Sequence, residues 1–320
     1  MKAVHCTKTG SHLDLEVVDI EPPGQPDKGQ VQVALTARGI QFSDLVRFAG
    51  DYQVKSPLPF VVGGEAAGIV TAVGDGIEHL KPGDQVLCPG GCVEHINVSG
   101  RAVTQIPDGV DLNVAASFRN NYATAYYGLQ RGMLKAGETL LVHGSAGGVG
   151  LAAVDIGKLF GARVIGTASA DDKLEVVKAM GADEVINYTD GFRDQVKALT
   201  GGLGADVIYD PVGGDVFDES MRCIAPFGRI LVVGFTSGRS ALAKTNHLLV
   251  KDASVIGYTL GGLQQHDPEH NRKNNEVILD WLGSGRIKPY ISHVLPMDKI
   301  HEGYQLIVDR KVIGKVIITN

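Results

Sequence analysis

Thr139 to Gly150 reads TLLVHGSAGGVG, and residue types at that spacing suit the holding of a phosphate. Thr139–His143 is a short apolar run of the kind that makes a buried parallel strand. A glycine-rich turn follows at once, and Val149–Phe160 (VGLAAVDIGKLF) carries apolar residues at helical spacing. Strand, glycine turn and helix in that order open a dinucleotide-binding βαβ unit. Gly147 lets the backbone approach a pyrophosphate and Gly150 lets helix and strand pack closely. Ser145, Ala146, Gly148 and Val149 complete the candidate binding turn. The helix N-terminus adds unpaired N–H groups and a partial positive charge. The pattern departs from GxGxxG, because Ser145 stands where the first glycine is expected and Gly144 precedes it.

About 20 residues past such a turn, folds that prefer NAD carry an acid on the ribose 2′-hydroxyl. This chain has Ala168 there, inside Gly166-Thr167-Ala168-Ser169. An acid would repel a 2′-phosphate, and a small residue leaves room for one. Ser169 can donate a hydrogen bond to that phosphate, and Lys173, one helical turn on, a charged one. Asp171 and Asp172 stand close by and read as a helix start, where acids suit the dipole.

The elements that must position these residues fall into two groups. A chain of 320 residues is long for one core and predicts two domains. Glycine makes up 42 residues, about 13% against a usual share of about 7%, which suits many tight turns. The net charge of −6, with no basic stripe, argues against nucleic-acid or membrane partners. Four scattered cysteines read as thiols in a reducing compartment rather than a disulfide framework. The N-terminus MKAVHCTKTG has no signal-like apolar region and no run is long enough to span a bilayer, so a cytoplasmic enzyme is expected. Residues 1 to 118 read as short strands punctuated by Gly and Pro, which suggests a compact barrel, and Asp111–Gln130 then turns helical. From Thr139 strands and helices alternate as far as Ser254–Gly257, giving six strands for a doubly wound parallel sheet. The helix at Asn274–Leu282 and the elements after it exceed what that sheet needs and are assigned to the first domain.

Several stretches then carry a family resemblance: GIQFSDLVRFAGDYQVKSPLPFVVGGEAAGIV (39–70), YATAYYGLQ, HGSAGGVG, GTASADDKLE, GADEVINY, DVIYDPVGG, GRILVVGF and the terminal DRKVIGKVII. In this order, over nearly the whole chain, they resemble the zinc-independent quinone oxidoreductases of zeta-crystallin type, in the medium-chain dehydrogenase/reductase superfamily. The resemblance implies an α/β protein. A GroES-like β-barrel domain (1–119 and 261–320) would accompany a Rossmann domain with a doubly wound parallel sheet (120–260), with a cleft between them. It also implies NADPH as reductant and a homodimer. The tyrosine matching Tyr188 reaches the 2′-phosphate in the family, which joins Lys173 and the missing acid in favouring NADPH. Gln41 and Tyr52 match an amide and a tyrosine lining the family's acceptor pocket, and Tyr52 could donate to a developing oxyanion. Thr124 matches a threonine near the nicotinamide, Gly234 and Phe235 follow the strand where the ring lies, and Asn246, Gly314 and Lys315 match positions edging the cofactor site.

Zinc-dependent members of the superfamily place ligands where this chain has Gln41, Gly64 and a position near Asn120. None of these is a thiolate or imidazole, so no metal is expected. Hydride delivery to an electron-poor acceptor, a quinone or an α,β-unsaturated ketone, needs less polarisation than alcohol oxidation does. An enoyl-thioester reductase with Tyr52 as proton donor remains an alternative, as does an NADPH-binding protein without turnover. The segment Phe118-Arg119-Asn120-Asn121 puts charge and amides where relatives are mostly apolar. Either it faces the acceptor and makes the pocket more polar, or it lies on a solvated turn. His143, beside the glycine turn, reads as structural rather than as a general acid.

Overall fold

The computed structural model describes residues 1–52 and 55–320, in two compact units: Met1–Arg119 with Tyr290–Asn320, and Asn120–Pro289. The first opens with β1 (Lys2–Cys6), β2 (Leu15–Asp19), β3 (Gln30–Ile40), α1 (Phe42–Phe48) and β4 (Phe60–Val61). It continues with β5 (Glu65–Val73), β6 (Gln85–Cys88), β7 (His95–Ser99) and β8 (Thr104–Gln105). Strands β2, β1 and β4 form a small antiparallel sheet. β3 organises the larger one. Its side chains alternate in burial, with Val31, Val33, Leu35 and Ala37 inward, as a pleated strand with one apolar face requires. At eleven residues it is long enough to pair with β5 along one edge and β7 along part of the other.

Helix α2 (Leu112–Arg131) carries the chain into the second unit. There β9 (Thr139–Val142), α3 (Gly148–Leu159), β10 (Arg163–Ala168), α4 (Asp171–Ala179), β11 (Glu184–Asn187), α5 (Arg193–Leu199) and β12 (Ala205–Asp210) alternate. They are followed by α6 (Gly214–Cys223), β13 (Ile224–Val232), α7 (Thr245–Lys251), β14 (Ser254–Gly257), α8 (Leu260–His266) and α9 (Pro268–Gly283). The sheet is parallel, in the order β11-β10-β9-β12-β13-β14. Leu141, Ile165, Ile208 and Ile230 are fully buried on neighbouring strands, because helices cover both faces. The chain runs outward one way from β9 to β10 and β11, then restarts on its other side with β12. That reversal opens a crevice at the C-terminal ends of β9 and β12.

The chain returns to the first unit as β15 (Ile291–Pro296), α10 (Ile300–Val308) and β16 (Lys315–Thr319). β16 pairs antiparallel with β3 and parallel with β15, completing a seven-stranded sheet. One expected boundary differs. Residues 261 to 289, assigned from sequence to the first domain, pack in the second unit. The reason is the stripe Asn274, Ile278, Trp281 and Leu282, buried on one face of α9. Trp281 meets the Tyr126 ring edge-on at 5.1 Å, and the Asn274 and Gln130 amides exchange two hydrogen bonds of 2.9 and 3.2 Å.

Candidate functional site

In the second unit the turn after β9 is built as a cradle. Gly144 adopts a φ of +53°, a left-handed conformation that a glycine reaches without strain. Gly147 caps α3 with no side chain of its own to bond the helix end, and no acid occupies its first turn. The N-terminus of this twelve-residue helix therefore presents amides and a partial positive charge to an anion. A Cβ at Gly150 would lie 2.3 Å from Gly144 O and 2.7 Å from Ser145 Cα, so helix and turn touch backbone to backbone. A Cβ at Gly148 would lie 2.4 Å from Asn121 Nδ2. That contact explains part of the polar departure at 118–121. Asn121 is buried, with its amide against the turn, a role nothing local in the sequence announced. Ser145 is also buried: its hydroxyl and its amide both donate to Thr167 O, at 2.9 and 3.0 Å, which commits both donors to β10. Ala146 is buried, while Gly147, Gly148 and Val149 are partly open.

Around the crevice, Gly144 lies 3.5 Å (from a Cβ placed on it) from side-chain atoms of Pro211 and Val212, the residues that follow β12. Asp210 accepts from the amides of Val212 and Gly213 at 2.8 and 2.9 Å and so shapes that second turn. Gly234 and Phe235 follow β13, and Phe235 is 44% exposed, unusual for a phenylalanine. Ala168 ends β10 in a buried position, and Ser169 beyond it is exposed. On α4, Asp171 accepts from Asn187 Nδ2 at 2.8 Å and Asp172 accepts from the Lys173 amide at 2.9 Å. Both acids of the first turn are thus engaged locally. Tyr188 packs half-buried on the sheet core just after β11, Thr124 is half-buried on α2, and Asn246 is exposed on α7.

His143 closes β9 with no exposure at all. Its Nε2 lies 2.8 Å from Ser220 Oγ and its Nδ1 3.0 Å from Thr167 Oγ1. The Ser220 hydroxyl spends its proton on Val216 O at 2.7 Å, so Nε2 carries the imidazole proton and Nδ1 accepts from Thr167. Burial pushes the imidazole down to about 3, so it stays neutral. The unfolded chain protonates this group below its ordinary value and the folded chain does not. Stability is therefore complete above about 6.5 and falls by roughly 1.4 kcal/mol per pH unit below it, down to about 3. Urea melts between pH 7 and 4 (a range of about 3 units) should show that slope in the wild type and a shallower one in His143→Gln.

The first unit holds a different cluster. Lys315 Nζ lies 3.2 Å from Glu65 Oε2 and 3.2 Å from Gln41 Oε1; Lys315 and Glu65 are only 2% and 4% exposed. Gln41 sits at the N-cap of α1, its own amide held by Asp44 Oδ2 at 2.9 Å. Asp44 also accepts from the Tyr304 hydroxyl at 3.1 Å, and burial pushes its carboxyl up to about 6. The cation beside Gln41 is an ammonium of the chain itself. Tyr52 lies elsewhere, past the other end of α1, 37% exposed on a pocket of about 260 Å³ whose wall includes Arg47, Lys55, Ser56 and Phe60. Gln41 is not part of that wall. The structure therefore groups Gln41 with Lys315 and Glu65 rather than with Tyr52. Arg119 and Asn120 are half-buried on α2.

Comparison with known proteins places this architecture. The family model described as the alcohol dehydrogenase GroES-like domain matches residues 27–116, and that described as zinc-binding dehydrogenase matches residues 148–273. A curated relative from Nematostella vectensis, a quinone oxidoreductase-like protein 2 homolog, is 41% identical over 99% of this chain and 88% of its own length. The crystal structure of an Escherichia coli quinone oxidoreductase complexed with NADPH superposes with a TM-score of 0.90 at 28% identity, covering all of both chains. The crystal structure of an NAD-dependent alcohol dehydrogenase superposes with a TM-score of 0.91 at 31% identity, again over all of both chains. Fold alone does not choose between the nucleotides. Among the described residues no three His, Cys, Asp or Glu side chains group as a metal site would need, and no helix is long and apolar enough to cross a membrane.

Proposed function

Because this chain belongs to the quinone oxidoreductase-like proteins of the medium-chain dehydrogenase/reductase superfamily, and is an oxidoreductase of that type, we propose that it uses NADPH to reduce quinones or α,β-unsaturated carbonyl compounds without a metal. The observation that carries the nucleotide half is the glycine-capped, acid-free N-terminus of α3, where a Cβ at position 148 would collide with Asn121 and one at position 150 with Gly144 and Ser145. Those residues fit a pyrophosphate: Gly147, Gly148 and Val149 would offer amides, with Ser145 and Ala146 holding the turn in shape. Ser169, Lys173 and Tyr188 would take the 2′-phosphate, where Ala168 leaves space. Thr124, Gly234, Phe235 and Asn246 would border the rest of the cofactor. Bound there, NADPH supplies the hydride.

The chain's own part is to orient the reactants and to meet the charge that gathers on the acceptor oxygen. Gln41 offers an amide N–H for that oxygen. Tyr52 offers a hydroxyl, from its separate pocket, as the second candidate donor. The acceptor oxygen finally takes a proton from solvent or from such a donor. We also take the four buried, free cysteines to fit a reducing cytoplasm, and the working form to be a homodimer. Loss of absorbance at the reduced-nicotinamide band, scanned against quinones, enones and enoyl thioesters, tests the reading. Turnover is expected on the first two. Turnover on enoyl thioesters alone would make this an enoyl-thioester reductase. Saturable NADPH binding without turnover on any acceptor would leave a sensing or structural protein.

A further inference from the structure

We propose that Lys315, anchored by Glu65, orients the Gln41 carboxamide so that its Nε2 amide is presented as a hydrogen-bond donor to the acceptor's carbonyl oxygen. Three adjacent strands bring this about. β16 pairs with β3 at Val316 and Ile40, so the next step in the antiparallel register brings Lys315 opposite Gln41. β3 pairs with β5 at Gly39 and Glu65. The lysine side chain must therefore pass over β3 at Gly39 to reach the carboxylate on β5. Gly39 permits this: a Cβ there would lie 2.6 Å from Lys315 Cε.

The orientation follows from chemistry. A side-chain amide can present either end to a neighbour, but an ammonium has three donors and no acceptor. The Gln41 atom that faces Lys315 Nζ at 3.2 Å must be the oxygen, and the NH2 group is the end left over. Glu65, 3.2 Å from the same ammonium and buried with it, holds the lysine head in place. The backbone at residue 41 is pinned independently by Asp44. Gln41 itself is only partly buried, unlike Lys315 and Glu65. Lys315 is then a positioning residue, acting through Gln41. Without it the amide would turn its NH2 toward the Glu65 carboxylate and offer an oxygen, the wrong polarity, to an acceptor gathering negative charge.

The inference rests on the reductase reading above, and wild-type turnover on 1,4-naphthoquinone is measured first. Absence of turnover removes that reading and this inference with it. Once turnover is established, four variants decide the inference alone: Lys315→Met, Glu65→Gln/Lys315→Met, Gln41→Leu, and the triple combination. Lys315→Met removes the ammonium beside the buried Glu65 carboxylate and should lose stability, which the Glu65→Gln change returns. Quinone kcat should fall about 10- to 100-fold in Lys315→Met, a range below that of a well-aligned oxyanion donor. It should stay low in the double variant after stability has returned. Gln41→Leu should lose as much, and the triple variant should lose no more than the double, as expected of groups that act as one unit. Lys315 matches a position edging the cofactor site, but its ammonium is buried and engaged by Glu65 and Gln41, so NADPH affinity, titrated by fluorescence, should change much less than kcat. Recovery of kcat together with stability in the double variant would reduce the cluster to a structural pair, and multiplying losses in the triple variant would uncouple Lys315 from Gln41. Either outcome overturns the inference.

Discussion

Gly150→Ala is expected to cost this protein most of its nucleotide binding. The added methyl would meet the Gly144 carbonyl at 2.3 Å and Ser145 Cα at 2.7 Å, and both are backbone. Neither can swing aside as a side chain can. Helix α3 must then lift off the turn, and its amides leave the positions from which they would hold a pyrophosphate. Overpacking of this kind costs about 1–3 kcal/mol of stability. Affinity for NADPH should fall further, on the order of 100-fold, or about 2.7 kcal/mol, because every amide at the helix end moves together. Fluorescence titration measures the affinity and thermal unfolding the stability. Gly148→Ala provides the internal control. Its methyl would meet the Asn121 amide, which is a side chain, so pairing it with Asn121→Ala should return much of the lost affinity. Gly147→Ala, whose methyl would lie 3.3 Å from the Gly144 carbonyl oxygen and need it to give by only a few tenths of an ångström, should be the mildest of the three. Equal losses in all three variants would mean that the phosphates bind somewhere other than this turn.

Lys173→Ala should weaken NADPH about 10- to 100-fold while leaving NADH nearly unchanged, the loss of one charge-assisted hydrogen bond of about 1.5–3 kcal/mol. The neighbouring acids make this a sharp test. Asp171 is held by Asn187 and Asp172 accepts the Lys173 amide, so both carboxylates already have partners within α4 and β11. Ala168, at the end of β10, supplies no carboxylate that could choose the 2′-hydroxyl instead. The lysine effect should shrink below pH of about 6, where a phosphate monoester takes up its second proton and loses part of its charge. Parallel titrations with NADPH and NADH at pH of about 7.5 and about 5.5, on either side of that value, measure it. Equal losses for the two nucleotides would place the 2′-phosphate away from α4.

How much of this was legible before the structure depends on how far apart in the chain the interacting residues lie. The strand, turn and helix at 139–160, and the absence of an acid at 168, could be read directly, because a phosphate cradle is made of contiguous backbone and its glycines are required by local conformation. The alternation of strands and helices through 257 was legible for the same reason: apolar periodicity is a property of each segment by itself. The fate of 261–289 was not. α9 carries an apolar stripe that would suit either unit, and Trp281 meeting Tyr126 decides which one receives it. Ser145 looked like a phosphate ligand because of its place in the motif, but the neighbouring strand claims both of its donors through Thr167 O.

By itself, then, the sequence determined that a strand, glycine turn and helix open a parallel sheet, that position 168 carries no acid with Lys173 five residues on, and that neither Gln41, Gly64 nor Asn120 is a thiolate or imidazole. Tertiary structure alone decided which polar groups meet. Lys315 stands 274 residues from Gln41 and 250 from Glu65 in the chain, and only the pairing of β16, β3 and β5 brings the three together. Asn121 reaches Gly148 only because α2 packs beside the turn. The physical reason is common to both. Backbone conformation is set by neighbours in sequence, whereas the partner of a buried charge or amide is set by the register of strands and helices whose packing no local pattern encodes.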